Sequence, residues 1–541
     1  MKTVSTDILV IGGGAAAGMA AFEAAKYGLD VTLVDKGRFS RSGSTPVAAS
    51  AFSVPLSAGD GQKEQLKDML RVGENLCDQD LAGACVADSF RILEELDQMG
   101  VPLQKDSQGK PYVTQAMGHS MPRNVHFDYD ISDPMRILRR QCLHRGVHVH
   151  EFVMIIRILT ADGRAVGALG LDRQGNLIQF LSRAVILGAG SATALYPHAS
   201  ASLQTTGDAV ALALEAGAQV VDMEFVELTL VPKVKGQVVS TGGIGTMVRS
   251  GASYLNNRGE RFMEKIDPVK KEAAPRYKVV RAVYREISEG RGPVICDFSK
   301  VPTRVIDGAG KGNIFLNHKR EALGLGTGIS QFEWAIAIHR LLGGSRITAE
   351  GATDVPGLFA AGESAGGVHG AARLAGHAVL DCFVFGSRAG RSACKFAVHE
   401  KPPASAGPPA DRSAIGTGRR KAASGANLEA EILIEKIQDI MVTHVSVVRN
   451  ARSLETAVKK IEALLSMETE KIVSDHPWKP WEARNLLVNA YLVSRAALTR
   501  EESRGGHFRE DYPEHDDKKW LKHIGFFKKD GTIEMVFSPV R

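Results

Sequence analysis

A glycine-rich segment near the start of the chain has the spacing of a dinucleotide-binding loop. Gly12, Gly14 and Ala17 fill the GxGxxG/A positions between a β-rich run and an alanine-rich stretch. The first glycine of such a loop permits a tight turn, the second lets backbone approach a pyrophosphate, and the third small residue packs helix on sheet. Asp35 follows Gly14 by 21 positions, where a carboxylate reaches ribose hydroxyls. These residues predict a dinucleotide site at the amino end of a helix, whose dipole favours phosphate.

Further segments strengthen this prediction. Gly188, Ala189 and Gly190 form a second strand–turn within AVILGAGSAT, which alone is often only structural. A third strand, at Leu358–Ala361, leads into Gly362 and Glu363, a pair that can hold a second ribose. A fourth segment near the end of the chain reads EESRGGHFREDYP. Together, in this order, the four segments indicate an FAD-dependent oxidoreductase.

The elements around these loops predict an α/β fold. A β-rich run at Asp7–Val10, a helix at Met19–Tyr27 and a strand at Val31–Val34 make a βαβ unit. The strand–glycine–helix pattern returns at Gly357–Gly390, after a stretch of different character.

A chain of 541 residues exceeds what one core fills. The predicted domains are an FAD-binding domain in two parts, at 1–233 and 339–400, and a capping domain inserted at 234–338. A linker rich in Pro, Ala, Gly and Ser follows at 401–427, and then a C-terminal helical domain at 428–541.

Composition excludes several classes of protein. No basic block is interleaved with aromatic residues, so nucleic-acid binding is not expected. No apolar stretch of about 18 residues could span a bilayer, and no export signal begins the chain. None of the six cysteines forms a CxxC pair, so we expect no metal or iron–sulfur cluster within the chain. We therefore expect a cytoplasmic protein that reaches a membrane only through partner subunits.

The chain resembles the flavoprotein subunit of the succinate dehydrogenase/fumarate reductase family, which also includes aspartate oxidase and adenylylsulfate reductase. Its most specific segments are YLNNRGERFM, TGDAVALALEAGA, the stretch Val355–Gly390 and the SRGGHFREDYP signature. The resemblance implies a Rossmann-like FAD-binding domain, an inserted α+β capping domain and a C-terminal helical domain. Together with the loops above it predicts cofactor contacts from Gly12, Gly14, Ala17, Gly18, Asp35, Lys36, Ser42, Ser44, Thr45, Ala49, Gly188, Ala189, Gly190, Asp208, Gly362, Glu363, Arg373, Ala378 and Val379.

Catalytic residues carry over from the resemblance at three positions. Arg373, in HGAARLAG, matches an arginine that clamps a substrate carboxylate, and His339, in HRLLGG, matches a histidine that binds the same group. Arg276, in PRYKVVR, matches an arginine that acts as proton donor or acceptor. Arginine suits the clamp because it binds a carboxylate through two parallel charged hydrogen bonds. The proton-transfer role of Arg276 comes from the resemblance, because arginine rarely loses its proton.

The chain departs from the family where a second carboxylate is gripped. Family members acting on C4 dicarboxylates carry a histidine in QFHPT, and that position here falls on Thr229. Their Thr-Glu pair falls near Gly245 and Thr246, and Ala372 and His377 stand where asparagine is usual. We therefore expect a carboxylate substrate other than succinate or fumarate.

The flavin is expected to be bound non-covalently. Respiratory members attach FAD through a histidine in RSHTVAAQGG, whereas Ser44 and Thr45 stand near that position here. No histidine precedes His119. The resemblance then favours substrate reduction or turnover linked to oxygen.

These patterns support a hydride exchange that forms or saturates a C–C double bond next to a carboxylate, with electrons passing to or from an iron–sulfur subunit. Two alternatives stay open: a relative with aspartate-oxidase-like or adenylylsulfate-reductase-like chemistry, and a non-catalytic electron-transfer subunit.

We interpret Arg504, Gly505, His507, Arg509, Glu510 and Asp511 as a charged network that braces the domains, and Trp478, Trp481 and Trp520 as packing residues.

Overall fold

The computed structural model describes residues 1–48, 51–238, 248, 250–303, 305, 330–403, 428–466 and 472–541. Ala49, Gly245, Thr246 and most of the expected linker lie outside these residues.

The strands are numbered in chain order. They are β1 Lys2–Ser5, β2 Ile8–Ile11, β3 Val31–Asp35, β4 Ala51–Ser53, β5 Val113–Thr114, β6 Asn124–His126, β7 His148–Glu151, β8 Val153–Ala161, β9 Arg164–Asp172, β10 Leu177–Leu181, β11 Ala184–Leu187, β12 Val220–Val221, β13 Val226–Val234, β14 Gln237–Val238, β15 Ser253–Leu255, β16 Ile295–Asp297, β17 Gln331–Leu341, β18 Gly344–Ser345, β19 Leu358–Ala360, β20 Leu428–Glu429, β21 Ile472–Val473, β22 Lys522–Lys529 and β23 Thr532–Pro539.

The α-helices are α1 Ala15–Ala25, α2 Gln62–Val72, α3 Gln79–Ala87, α4 Ser89–Gln98, α5 Pro134–His144, α6 Asp208–Glu215, α7 Met263–Ile266, α8 Arg276–Ser288, α9 His377–Ala397, α10 Ala430–His444, α11 Ala451–Leu465, α12 Lys479–Thr499 and α13 Asp517–Trp520. Short 3₁₀ turns lie at Thr45–Val47, Thr193–Leu195, Lys271–Ala273 and Gly362–Ser364.

A parallel sheet of order β19-β11-β2-β3-β7 forms the centre of the FAD-binding region. Its neighbouring strands all pair in parallel. Strands β2 and β11 are apolar along their whole length and fully buried, as expected for a parallel sheet covered on both faces. The fold-class prediction is confirmed by this sheet together with the capping and C-terminal regions described below.

Helices α1 and α9 cross so closely that two positions of α9 exclude a side chain. A Cβ atom on Gly386 would lie 2.5 Å from the carbonyl oxygen of Ala16, and one on Gly390 would lie 2.5 Å from that of Ala20. The crossing holds the amino end of α9 in a fixed place beside the loop that precedes α1.

An antiparallel sheet of order β14-β13-β17-β16-β15 forms the capping region. It has its own core, in which Trp334 contacts the rings of Tyr254 and Phe332 edge-on. Glu227 on β13 pairs with Arg340, and the next residue, Leu228, pairs with Ile338. His339 is therefore the extra residue of a β-bulge, a feature that re-aims side chains.

The C-terminal region combines helices with a hairpin. The apolar spacing from Leu428 to Leu498 predicts only the helices, which are α10, α11 and α12. Strands β22 and β23 then pair antiparallel, and β22 joins β12 of the FAD-binding region. No helix in the described part of the chain is long and apolar enough to cross a bilayer.

Buried ion pairs tie the C-terminal region to the rest. Arg500 donates to Glu224 at 2.7 Å and to Glu502 at 2.9 Å. Arg504 donates to Glu502 and to the carbonyl oxygen of Glu74. The other signature residues also make hydrogen bonds within this network or to α11: Gly505, His507, Arg509, Glu510 and Asp511.

The close crossing of α1 and α9 predicts a large effect of Gly390→Ala. The added methyl group must displace the backbone of α1, and overpacking of this kind costs about 1–3 kcal/mol. We expect a lower midpoint of thermal unfolding, measured by circular dichroism at one scan rate.

Gly83→Ala is the matched control. Gly83 lies within α3, and a Cβ there meets no described atom within 4 Å. Alanine at such a site stabilises a helix by about 0.4–1 kcal/mol, so its midpoint should stay equal or rise. Equal midpoints for the two variants would contradict the crossing geometry.

Candidate cofactor cleft and active site

A cleft of about 340 Å³ opens at the carboxyl ends of β2, β3 and β11. Ligands of open parallel sheets bind at this edge. Its lining includes most of the sequence-predicted contacts: Gly12, Gly14, Asp35, Lys36, Ser42, Ser44, Thr45, Asp208, Gly188, Ala189, Gly190, Glu363, Ala378 and Val379.

The first glycine loop has no room for side chains. Gly12 adopts φ +118°, and a Cβ there would lie 2.3 Å from the carbonyl oxygen of Gly188. A Cβ on Gly13 would lie 2.2 Å from Asp35 Oδ2. The two loops and the carboxylate therefore close on one another, as a pyrophosphate-binding turn requires.

Two buried oxygens in the cleft lack partners among the described residues. Asp35 ends β3, and its Oδ2 accepts no hydrogen bond there; Ser44 Oγ is in the same state. Burial raises the pKa of Asp35, against the lowering effect of the Gly37 amide. An acceptor held in this way fits a ribose with two hydroxyl donors, so the site suits the adenosine half of FAD.

Lys36 and Asp208 neutralise each other in the cleft wall. Lys36 Nζ lies 2.8 Å from Asp208 and 3.1 Å from Glu482. Asp208 also accepts hydrogen bonds from Thr206 and Asn485. Lys479 pairs with Glu482 at 2.8 Å, so two lysines balance two carboxylates within the wall, which joins the FAD-binding region to α12.

The loops after β11 and β19 meet at the other part of the cleft. Ser191 Oγ donates to Glu363 Oε2 at 2.9 Å, and the Gly190 amide donates to Ser364 Oγ. Gly362 adopts φ +62°, a conformation that favours glycine. One oxygen of Glu363 is thus held in place.

The amino end of α9 supplies backbone donors to the cleft. Gly376 adopts φ +80° just before the helix, and Ala378 and Val379 in its first turn line the cleft. Amides in the first turn have no acceptor within the helix, so they suit an acceptor atom of a flavin ring.

Other predicted contacts have different surroundings. Ala17 packs beneath Gly188, and Gly18 faces Leu138, so both positions pack α1 rather than line the cleft. Thr45 Oγ1 accepts from the Ala15 amide at 3.1 Å and so caps α1, while Ser42 Oγ accepts from the Arg38 amide.

Several residues that line the cleft were not predicted from the sequence as cofactor contacts. They lie outside the glycine loops in the sequence: Phe152, Met154, Arg173, His476, Trp478 and Lys479. Trp478, expected to pack, donates from Nε1 to the carbonyl oxygen of Leu171 and also lines the cleft.

A second cavity of about 180 Å³ lies among the FAD-binding, capping and C-terminal regions. Arg276 and Arg373 line it, so Arg373 lies here and not in the cofactor cleft. Ala372 lines it too, whereas His377 is buried against Gln65, 3.1 Å away.

Glu227 joins the two arginines and was not predicted. Its carboxylate accepts from Arg276 Nη1 at 2.6 Å and from Arg373 Nε and Nη2 at 3.3 and 3.4 Å. Although burial opposes it, the charges of Arg373 and Arg276 hold the pKa of Glu227 well below its usual range. The available sequence signal was a glutamate next to the apolar residues Val226 and Leu228 in the segment MEFVELTLVP.

His339 approaches the same cluster from the bulge in β17. Its Nε2 lies 3.4 Å from Arg373 Nη2, and its Nδ1 lies 2.6 Å from Ser200 Oγ. Burial, assisted by the charge of Arg276, lowers the pKa of His339 to about 3. The imidazole is therefore neutral at physiological pH.

The fold and the cleft define a dinucleotide-binding flavoprotein, and comparisons with known proteins agree. The family model described as "FAD binding domain" matches residues 7–379, and the one described as "Fumarate reductase flavoprotein C-term" matches residues 434–541. The chain belongs to the succinate dehydrogenase/fumarate reductase flavoprotein family and is an FAD-dependent oxidoreductase.

Individual relatives span nearly the whole chain. A fumarate reductase (CoM/CoB) subunit from Methanothermobacter marburgensis is 33% identical, over 96% of each chain. L-aspartate oxidase from Streptomyces coelicolor is 30% identical, over 96% of this chain and 91% of its own. The structure of Mycobacterium smegmatis Sdh1 in complex with UQ1 is 27% identical with a TM-score of 0.84, covering 100% of this chain and 95% of that one. The predicted family and the predicted FAD cofactor are confirmed.

The mode of FAD attachment stays a prediction. The cleft is lined near its first loop by the hydroxyl side chains Ser44 and Thr45, and His476 is held by the Trp478 amide at its Nδ1. We expect acid precipitation of the holoprotein to leave a colourless pellet and a yellow supernatant containing free FAD. A yellow pellet that survives washing would overturn non-covalent attachment, and its loss in His476→Ala would identify the linked residue.

Proposed function

We propose that this protein exchanges hydride with a carboxylate-bearing substrate, forming or saturating a C–C double bond next to the carboxylate. The observation that supports this most directly is a cluster of three side chains: Arg276 and Arg373 line one cavity, and His339 lies 3.4 Å from Arg373 behind it. They come from a capping helix, a bulged strand and the loop before α9.

Arg373 is the carboxylate clamp in this proposal. Its planar guanidinium can present two parallel donors to a carboxylate. His339 supports it, because an arginine can only donate and Nε2 therefore accepts from Arg373 in the present arrangement. Since Ser200 Oγ can donate or accept at Nδ1, His339 can also turn a proton at Nε2 towards a substrate oxygen.

Arg276 is the group that moves the proton. It opens α8 of the cap, and its side chain reaches Glu227 on β13. When bound, FAD supplies or accepts the hydride equivalent. Arg276 then provides or takes the proton at the substrate carbon next to the carboxylate, while the positive cluster stabilises enolate-like charge. Closure of the cap over the cavity excludes water from this step.

The substrate we propose differs from simple fumarate or succinate. A relative named fumarate reductase supports the reaction type. However, Thr229 occupies the position of a histidine that grips a second carboxylate in such enzymes. The retained clamp thus serves one carboxylate.

We further propose that an iron–sulfur subunit in the cytoplasm exchanges electrons with this chain. The six cysteines are all free, and no cluster of three His, Cys, Asp or Glu side chains among the described residues could hold a metal. A relative named as one subunit of a larger enzyme supports the same arrangement.

An anaerobic titration tests the reaction. The holoprotein is photoreduced without oxygen and mixed with a panel of unsaturated carboxylic acids, and we expect at least one acid to restore the yellow absorbance. Arg373→Met should slow this reoxidation at least about tenfold, because a charged hydrogen bond contributes about 1.5–3 kcal/mol.

Arg258→Met is the control, since Arg258 is an exposed residue of the same cap. Failure of every acid to reoxidise the flavin would contradict the proposed reaction and favour an electron-transfer subunit. Equal rates for the two variants would remove Arg373 from the clamp.

Iron analysis tests the partner. The protein purified anaerobically from its own cells should contain iron and acid-labile sulfide in fixed ratio to FAD, whereas the chain produced alone should contain neither. Native protein that is active and free of iron would contradict this proposal.

A further inference from the structure

Glu227 occupies part of the clamp that a substrate carboxylate would use. Its side chain is 12% exposed and contacts both Arg276 and Arg373. Glu227 on β13 is the strand partner of Arg340 on β17, next to the bulge, and this backbone pairing fixes the register of Glu227. The chain therefore holds an anion of its own between the two cations expected to bind substrate.

The charges of this inner cluster leave one positive charge uncompensated. Arg276 and Arg373 are positive, Glu227 is negative, and His339 is neutral. Arg340 adds nothing to the count, because it faces Glu363 and Asp381 at 3.7 and 3.9 Å. A single carboxylate matches one positive charge, and a dicarboxylate exceeds it.

The other charged groups of the cavity are engaged elsewhere or exposed. Arg71 is exposed and pairs with Asp68, and Lys270 is exposed. Glu74 accepts from the Gly505 amide. Arg281 stacks on the ring of Phe508 at 3.7 Å, and the negative charge of Glu74 offsets its positive charge. Solvent screens the charges of the exposed residues Arg71 and Lys270. The inner cluster therefore makes the largest electrostatic contribution at the proposed substrate position.

The rest of the cavity wall is mainly apolar. Its apolar lining includes Met117, Leu228, Val280, Leu342, Ala372 and Val447. A second carboxylate placed among these groups would lose hydration without gaining a partner, which is costly. Beside Glu227 it would also meet a like charge.

We propose that Glu227 is a specificity-determining residue that selects α,β-unsaturated monocarboxylates with an apolar remainder over dicarboxylates. The inference rests on the proposed function, whose substrate class it narrows. Glu227 offsets one arginine, and the apolar wall receives the end of the substrate away from the carboxylate.

Binding to the oxidised holoprotein tests the selection without turnover. Crotonate and fumarate are titrated separately, and the perturbation of the flavin absorbance spectrum gives each Kd. In the wild type, crotonate should bind at least about tenfold more tightly than fumarate. Glu227→Gln keeps the size of the side chain and removes its charge, so fumarate affinity should rise at least about tenfold and the crotonate-to-fumarate preference should fall by a similar factor.

Two further variants control the comparison. Glu227→Asp retains the charge and should keep the wild-type order of affinities. Glu333→Gln removes a carboxylate from the same capping sheet, where Glu333 pairs with Lys233 near the surface, and should change neither affinity. FAD content and circular dichroism establish that each variant is folded.

The outcomes separate this inference from the proposed function. Wild-type protein that binds fumarate as well as crotonate, or a Glu227→Gln variant that shifts both affinities equally, overturns the selection while leaving the reaction type intact. A variant with slower reoxidation and unchanged relative affinities also overturns it, because Glu227 would then act in proton movement. If neither acid binds any variant and no acid reoxidises the flavin, the proposed function fails as well.

Discussion

The close approach of backbone to backbone at the edge of the parallel sheet is the constraint on which the rest of the structure depends. Gly12 lies against the carbonyl of Gly188, and Gly386 and Gly390 of α9 lie against α1. These contacts leave no space for a Cβ atom. They bring two glycine-rich loops and the amino end of α9 to one cleft. Because Arg373 lies just before α9, the same contacts also set the position of this arginine, for which we propose the role of substrate clamp.

The buried ion pairs extend this constraint to the cap. Arg500 is held by Glu224, which lies two residues before β13, the strand that carries Glu227. Breaking a buried pair leaves an uncompensated charge in the interior, which costs several kcal/mol. The C-terminal region thus acts as more than a peripheral addition, since it fixes the start of the strand that places the Glu227 carboxylate in the second cavity.

Most charged side chains in and around the two cavities are compensated by a neighbour or kept neutral. Lys36 and Asp208 neutralise each other, Arg340 faces Glu363 and Asp381, and His339 is kept neutral by burial. The interior tolerates charges only when they are compensated. The proposed substrate selectivity depends on the single positive charge that stays uncompensated in the cluster of Arg276, Arg373 and Glu227.

The sequence by itself determined the family, the FAD cofactor and the α/β fold with its cap. Each of these depends on local spacing: Gly12, Gly14 and Asp35 follow one strand–turn–helix unit, and the sheet strands are continuous apolar runs. The sequence patterns did not predict all of the residues that line the first cleft. Trp478 lines the first cleft from a distant segment, and the hairpin β22–β23 is stabilised by pairing with β12. Only the tertiary structure decided that Glu227 lies between Arg276 and Arg373 and that a bulge turns His339 towards them. Local patterns encode turns and strands, but contacts between side chains dozens of residues apart depend on register and packing, which no short stretch of sequence contains.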